Sequence, residues 1–67
     1  MNKEIINFVL DDVVFQLKTY HGIIADDKKI ISLVKQEYTN FIKNEHDWNP
    51  DPFINKIIQL YTRDERI

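Results

Sequence analysis

Segment 45–51 concentrates most of the side chains that could do chemistry. It holds His46, Trp48, Asn49 and three carboxylates. Imidazole and carboxylate groups bind a metal ion when three or four of them converge at fixed distances. A calcium loop also needs a glycine at its sharp turn and a glutamate at its twelfth position, and this segment has neither. We therefore favour helix capping, with Asn49 or Asp51 starting a helix, and expect no metal site.

Covalent catalysis has few candidate groups. Cysteine is absent, Ser32 is the only serine and Gly22 is the only glycine. A nucleophilic serine needs a turn that presents it and an oxyanion hole, and a phosphate-binding loop needs several glycines. A general acid–base pair among the carboxylates stays open, but a chain of this size leaves little room for a substrate pocket. We expect a protein that is not an enzyme and takes no cofactor or small-molecule substrate.

One helical face of the middle segment is rich in lysine and carries no carboxylate. This lysine face consists of Lys28, Lys29, Ser32, Lys35, Gln36, Thr39, Asn40 and Lys43. Such side chains contact phosphates and base edges in nucleic acids. Against that function, the face has no arginine, and Asp26 and Asp27 at its start would repel phosphate. The ordinary alternative is a solvated helix face.

The first segment has more apolar residues than one core-facing stripe requires. Phe8 and Phe15 lie seven residues apart, away from the stripe that faces the core. Aromatic side chains are typical anchors of protein interfaces, so we expect this second stripe to bind another protein or a second copy of the chain. The alternative is that the first helix is central and both other helices cover it. Trp48 either closes the end of the core or adds to the interface.

The few helix-breaking residues show where the helices that position these groups begin and end. Gly22 and the pair Pro50 and Pro52 divide the chain into three segments, for which helical periodicity predicts helices at about 2–21, 27–46 and 51–63. Asp26 or Asp27 would cap the second helix, and the third starts with either Asn49 and Pro50 or Asp51 and Pro52. Residues 1–67 thus predict one all-α domain, a small three-helix bundle that self-associates.

The predicted core consists of one apolar stripe per helix. The first stripe comprises Ile6, Val9, Leu10, Val13, Leu17 and Tyr20; the second comprises Ile31, Val34, Tyr38 and Phe41, widened by Ile30 and Ile42; the third comprises Phe53, Ile54, Ile57, Ile58 and Tyr61, with Leu60 beside it. The apolar pair Ile23 and Ile24, just past the glycine, is expected to fold back onto a neighbouring helix turn.

Composition sets the remaining expectations. The net charge is −2, which argues against a general polyanion binder. No 18-residue apolar run is present, so we expect no membrane association and a cytoplasmic location. Ile, Lys, Asn, Phe, Tyr and Met make up nearly half of the chain, a bias typical of AT-rich coding, so a bacterial or phage origin is expected.

These observations favour a small regulatory module that acts by occluding a partner protein, as inhibitors, immunity proteins and antitoxins do. A homodimer is the expected assembly. Phe8, Phe15 and Trp48 are the predicted partner-binding residues. The alternative is a nucleic-acid-binding regulator that uses the lysine face.

Overall fold

The chain folds as three helices. The computed structural model describes residues 3–43 and 48–65, the last two of these by their backbone alone. Helix α1 spans Lys3–His21, α2 spans Asp27–Phe41 and α3 spans Pro50–Glu65, and no strand occurs in these ranges. Each helix packs against the other two. The predicted all-α three-helix bundle is therefore confirmed.

Contacts at the two ends of the bundle define its topology. At one end, the rings of Phe41 near the end of α2 and Phe53 near the start of α3 lie 5.3 Å apart. At the other end, the backbone N–H of Asp26, just before α2, donates to the hydroxyl of Tyr61 in α3 at 2.9 Å. Helices α2 and α3 therefore run in opposite directions, as a short connection favours.

Local capping explains where the helices begin. Asp26 has extended backbone angles, and its carboxylate accepts from the N–H of Lys28, so it is the N-cap of α2. At α3, the Asn49 side chain accepts from the N–H of Asp51 at 3.1 Å, which leaves Pro50 in the first helical position. Of the two starts that the sequence allows for α3, the structure has the one capped by Asn49.

Gly22 ends α1. Its φ of +66° lies in the left-handed region that a residue with a Cβ enters only at a cost. The following N–H, that of Ile23, donates to the carbonyl oxygen of Leu17 at 2.9 Å. The turn therefore folds back to the level of Leu17 and covers that level with the half-buried Ile23, as predicted, but Ile24 is 93% exposed and was wrongly expected to pack.

The core-facing stripe of α1 differs in part from the predicted one. Its buried members are Ile5, Val9, Val13 and Leu17, whereas the predicted Ile6 and Leu10 are half-buried at its edge. The prediction of Tyr20 as a core residue is wrong, because its side chain is 71% exposed. Tyr20 lies almost one turn beyond Leu17. Because Ile23 returns to the level of Leu17, the core does not extend as far as Tyr20.

Helix α2 is shorter than predicted and is rotated relative to its predicted stripe. It ends at Phe41 rather than near His46, because Ile42 leaves helical angles and places its side chain in the core. Residues 44–47 lie outside the described part of the chain. The buried positions of α2 include Ile30 and Val34, whereas Ile31, Tyr38 and Phe41 are half-buried.

A glutamate also lies on the buried side of α2. Glu37 is 9% exposed, and its Oε2 accepts a hydrogen bond from the Asn40 side chain at 3.0 Å. A charged group tolerates such burial when it is hydrogen-bonded.

Helix α3 supplies the best-predicted part of the core. All five predicted residues are buried, and Leu60 is half-buried beside them. Its buried residues are Phe53, Ile54, Ile57, Ile58 and Tyr61. With the buried stripes of α1 and α2 they form one continuous cluster, so the opposite side of α1 is not needed to close this core.

Candidate functional site

The side of α1 that faces away from the bundle presents two phenylalanines. Phe8 is 52% exposed and Phe15 is 60% exposed. Both lie in a regular helix whose other side is fully engaged by the core, so α2 and α3 do not cover them. The alternative in which flanking helices bury both sides of α1 therefore does not hold. We name Glu4, Phe8, Asp11, Phe15 and Lys18, all exposed, the outer face of α1.

Phe8 is held in place by an aromatic chain that reaches the core. Its ring meets that of Trp48 edge to face, with centroids 6.2 Å apart. The Trp48 ring meets Phe53 in the same way at 6.0 Å, and Phe53 is fully buried. Edge-to-face pairs of this kind are favourable beyond the area they bury. The half-buried Trp48 therefore packs against the core and at the same time contacts the exposed Phe8.

The charges of the outer face alternate with its phenylalanines. Glu4, Asp11 and Lys18 are each separated by seven residues, as are Phe8 and Phe15. Together they form a 4, 3, 4, 3 spacing, which is the spacing of a helix-pairing seam. The acidic residues occupy the N-terminal and middle parts of this seam and the lysine its C-terminal part.

The lysine face of α2 is largely exposed, as predicted. Lys28, Lys35 and Lys43 are exposed, and Gln36 and Asn40 lie among them. Lys29 departs from this pattern, because it is half-buried and its Nζ lies 4.6 Å from the centroid of the Tyr61 ring. The exposed part of Lys29 is therefore less available than the sequence suggests. Of the remaining lysines, Lys28 and Lys35 lie on α2, whereas Lys43 lies past the end of the helix at Phe41, so the predicted face does not continue to Lys43 as a helix.

Two further exposed apolar residues flank the turn between α1 and α2. Tyr20 and Ile24 are the most exposed large apolar side chains of the described residues. The sequence pattern predicted Tyr20 in the core and Ile24 packed on a neighbouring helix turn. Their position on either side of Gly22, the only glycine, was the available signal that they lie where the helix ends and the chain turns.

Segment 45–51, which holds the candidate metal ligands, is only partly described by the structure. Glu45, His46 and Asp47 lie outside the described residues, and Asn49 and Trp48 have the capping and packing roles given above. Within residues 3–43 and 48–63, no group of three potential metal-ligating side chains comes together. None of the helices described combines the length and apolar character needed to span a membrane.

Comparison of the chain with models of known families, with curated proteins and with solved structures finds no match. The case for function therefore depends on the surfaces of the molecule itself.

Proposed function

We propose that this protein is a small, non-enzymatic interaction module that binds a partner protein through the outer face of α1. The observation that carries the proposal is the exposure of Phe8 and Phe15 on a helix whose inner side already completes the core. Phenylalanine is enriched at the centres of interfaces and is costly to leave in water. Covering these two rings would recover that cost on binding.

The geometry of the surface indicates how a partner would dock. Phe8 and Phe15 are about 10.5 Å apart along the axis of α1, because a helix rises about 1.5 Å per residue. Two apolar anchors at this separation, with charged residues between them, suit a second helix laid along the first. The support of Phe8 by Trp48 lowers the entropy that binding costs, because the anchor is already ordered.

The mechanism that follows is occlusion. A small bundle that binds through one face of a helix acts on its partner by covering a functional surface or by blocking another protein. This is the mode of action expected of an inhibitor, an immunity protein or an antitoxin-like adaptor. A bacterial or phage source and a cytoplasmic setting fit this mode and are part of the proposal.

An affinity experiment tests the proposal. Immobilised wild-type protein would be exposed to an extract of the source cells, beside the variants Phe15→Ser and Lys35→Ser. Phe15→Ser removes an anchor of the outer face, and Lys35→Ser changes another exposed residue, on α2. We expect a protein that is retained by the wild type and by Lys35→Ser but lost with Phe15→Ser.

Circular dichroism of Phe15→Ser provides the control for folding. The variant is expected to keep the helical signal of the wild type, since Phe15 is not part of the core. Retention of the same partner by the folded variant would contradict the proposal.

The exposed lysine face supports a second candidate function, binding of nucleic acid. Lys28 and Lys35 on α2 and Lys43 just past its end present three exposed positive charges. Contacts of this kind make affinity fall steeply with salt. Fluorescence anisotropy with a labelled duplex at about 50 and 200 mM salt would test it, with Lys28→Glu and Lys43→Glu as variants. Binding that is absent at low salt, or that ignores both variants, would exclude this candidate.

A further inference from the structure

The charges of the outer face point to one particular occupant. We infer that the outer face of α1 pairs with the same face of a second copy, with the two α1 helices antiparallel. This inference rests on the proposed function, because it uses the same surface and names its partner. It follows from the positions of five exposed residues along one seam, Glu4, Phe8, Asp11, Phe15 and Lys18.

The seam is complementary to itself when it is reversed. An antiparallel pair of identical helices has a two-fold axis, so that a contact from residue i to residue j is repeated from j to i. Centring the axis beside Asp11 places Phe8 of each copy opposite Phe15 of the other. The same register places Glu4 opposite Lys18, twice. In this one arrangement, both phenylalanines are covered and each outer charge faces an opposite charge.

A parallel pairing lacks this complementarity. In that arrangement each residue meets its own counterpart, so Glu4 would face Glu4, Asp11 would face Asp11 and Lys18 would face Lys18. Like charges at facing positions of paired helices oppose association. The distribution of acidic residues toward the start of the seam and of lysine toward its end thus selects the antiparallel orientation.

The centre of the antiparallel seam carries one unfavourable contact. Asp11 lies beside the two-fold axis and meets Asp11 of the second copy. Asp12, its neighbour, is half-buried and accepts a hydrogen bond from Gln16 at 2.8 Å, so it belongs to the side of the helix rather than to the seam. We therefore expect a weak dimer that Asp11→Asn strengthens, because the substitution removes the repulsion and keeps the size of the side chain.

Sedimentation equilibrium over about 10 µM to 1 mM protein tests this inference, a range that suits an interface below about 1,200 Å². The wild type is expected to approach the mass of a dimer. Glu4→Lys and Lys18→Glu are each expected to weaken association roughly tenfold, because each turns two attractive pairs into two repulsive ones. Asp11→Asn is expected to lower the dissociation constant at least about twofold.

An equimolar mixture of Glu4→Lys with Lys18→Glu gives the sharpest readout. In the mixed pair, the lysine introduced at position 4 faces the glutamate introduced at position 18, and the native Lys18 and Glu4 face each other. The mixture is expected to recover the association strength of the wild type, which neither variant reaches alone. Lys35→Glu is the matched control, since it has the charge of Lys18→Glu but lies on α2, and because its seam on α1 is unchanged it should associate as strongly as the wild type.

Three results would overturn the inference: a wild type that stays monomeric up to about 1 mM, a mixture that associates no more strongly than its two components, or a Lys35→Glu variant that weakens association as much as Lys18→Glu does. Circular dichroism establishes that each variant is folded, and Asp11→Asn tests the register without reversing a charge. A monomeric wild type that still retains a foreign protein through Phe15 would overturn the second-copy inference and leave the proposed function standing. If the wild type is monomeric and also retains no foreign protein through Phe15, neither the inference nor the proposed function holds.

Discussion

The hydroxyl of Tyr61 accepts a hydrogen bond from the backbone N–H of Asp26 at 2.9 Å and thereby ties the last turns of α3 to the start of α2. Tyr61 is 3% exposed, and the ammonium group of Lys29 lies over its ring. Asp26 in turn caps α2 through its side chain. One buried residue of α3 therefore holds the turn that follows α1 and the first turn of α2 in their relative positions.

Tyr61→Phe should destabilise the protein by about 1 kcal/mol, because the N–H of Asp26 loses its partly buried acceptor while the ring is retained. Urea denaturation followed by circular dichroism measures this change. Tyr20→Phe is the matched control and should change the free energy of unfolding by less than about 0.5 kcal/mol, since Tyr20 is exposed. Equal effects of the two substitutions would show that the hydrogen bond contributes nothing.

Gly22→Ala should cost about 1–2 kcal/mol of stability, because alanine is strained at a φ of +66°. A Cβ at this position would meet no atom within 4 Å, so the cost is one of backbone conformation alone. Gly22→Asn should cost less, since asparagine tolerates the left-handed region better. Thermal unfolding of the three proteins gives the comparison, and an alanine variant as stable as the wild type would contradict the described turn.

Phe53→Ala should unfold the protein, whereas Phe15→Ala should leave its stability almost unchanged. Phe53 is fully buried, and removing such a side chain costs about 3–5 kcal/mol, which is comparable to the whole stability of a domain of this size. The first variant should therefore lose most of its helical signal. Phe15→Ala should stay within about 0.5 kcal/mol of the wild type when both are measured at concentrations that keep them monomeric. A Phe15→Ala variant that unfolds would place Phe15 in the core.

Periodicity predicted the three helices and much of the core, for a physical reason. A stripe of apolar residues at helical spacing defines a direction around the helix axis, and the packing of α3 follows it at every predicted position. The spacing does not say how far along the axis a neighbouring helix extends. Tyr20 has the angular position of a core residue but lies beyond the point at which Ile23 returns to Leu17.

For the candidate site, too, the sequence predicts which residues are exposed but not which tertiary contacts they make. Exposure of Phe8 and Phe15 follows from their angular position, and the structure has them exposed as expected. The contact of Phe8 with Trp48 joins residues 40 positions apart, so no local pattern contains it. The placement of Lys29 over Tyr61 is likewise a tertiary contact, and the sequence alone assigned that lysine to the solvated face.

Helix α1 has an inner face that completes the core, and we propose that its outer face binds a protein. Photo-crosslinking tests it most directly, with a benzophenone amino acid placed at position 15 of the outer face or at position 32 of α2, both exposed. The purified protein and an extract of the source cells would be irradiated in parallel. We predict covalent adducts from position 15, with a second copy or with a foreign protein, and none from position 32. The absence of adducts from position 15 in both samples, or equal adducts from both positions, would contradict the claim.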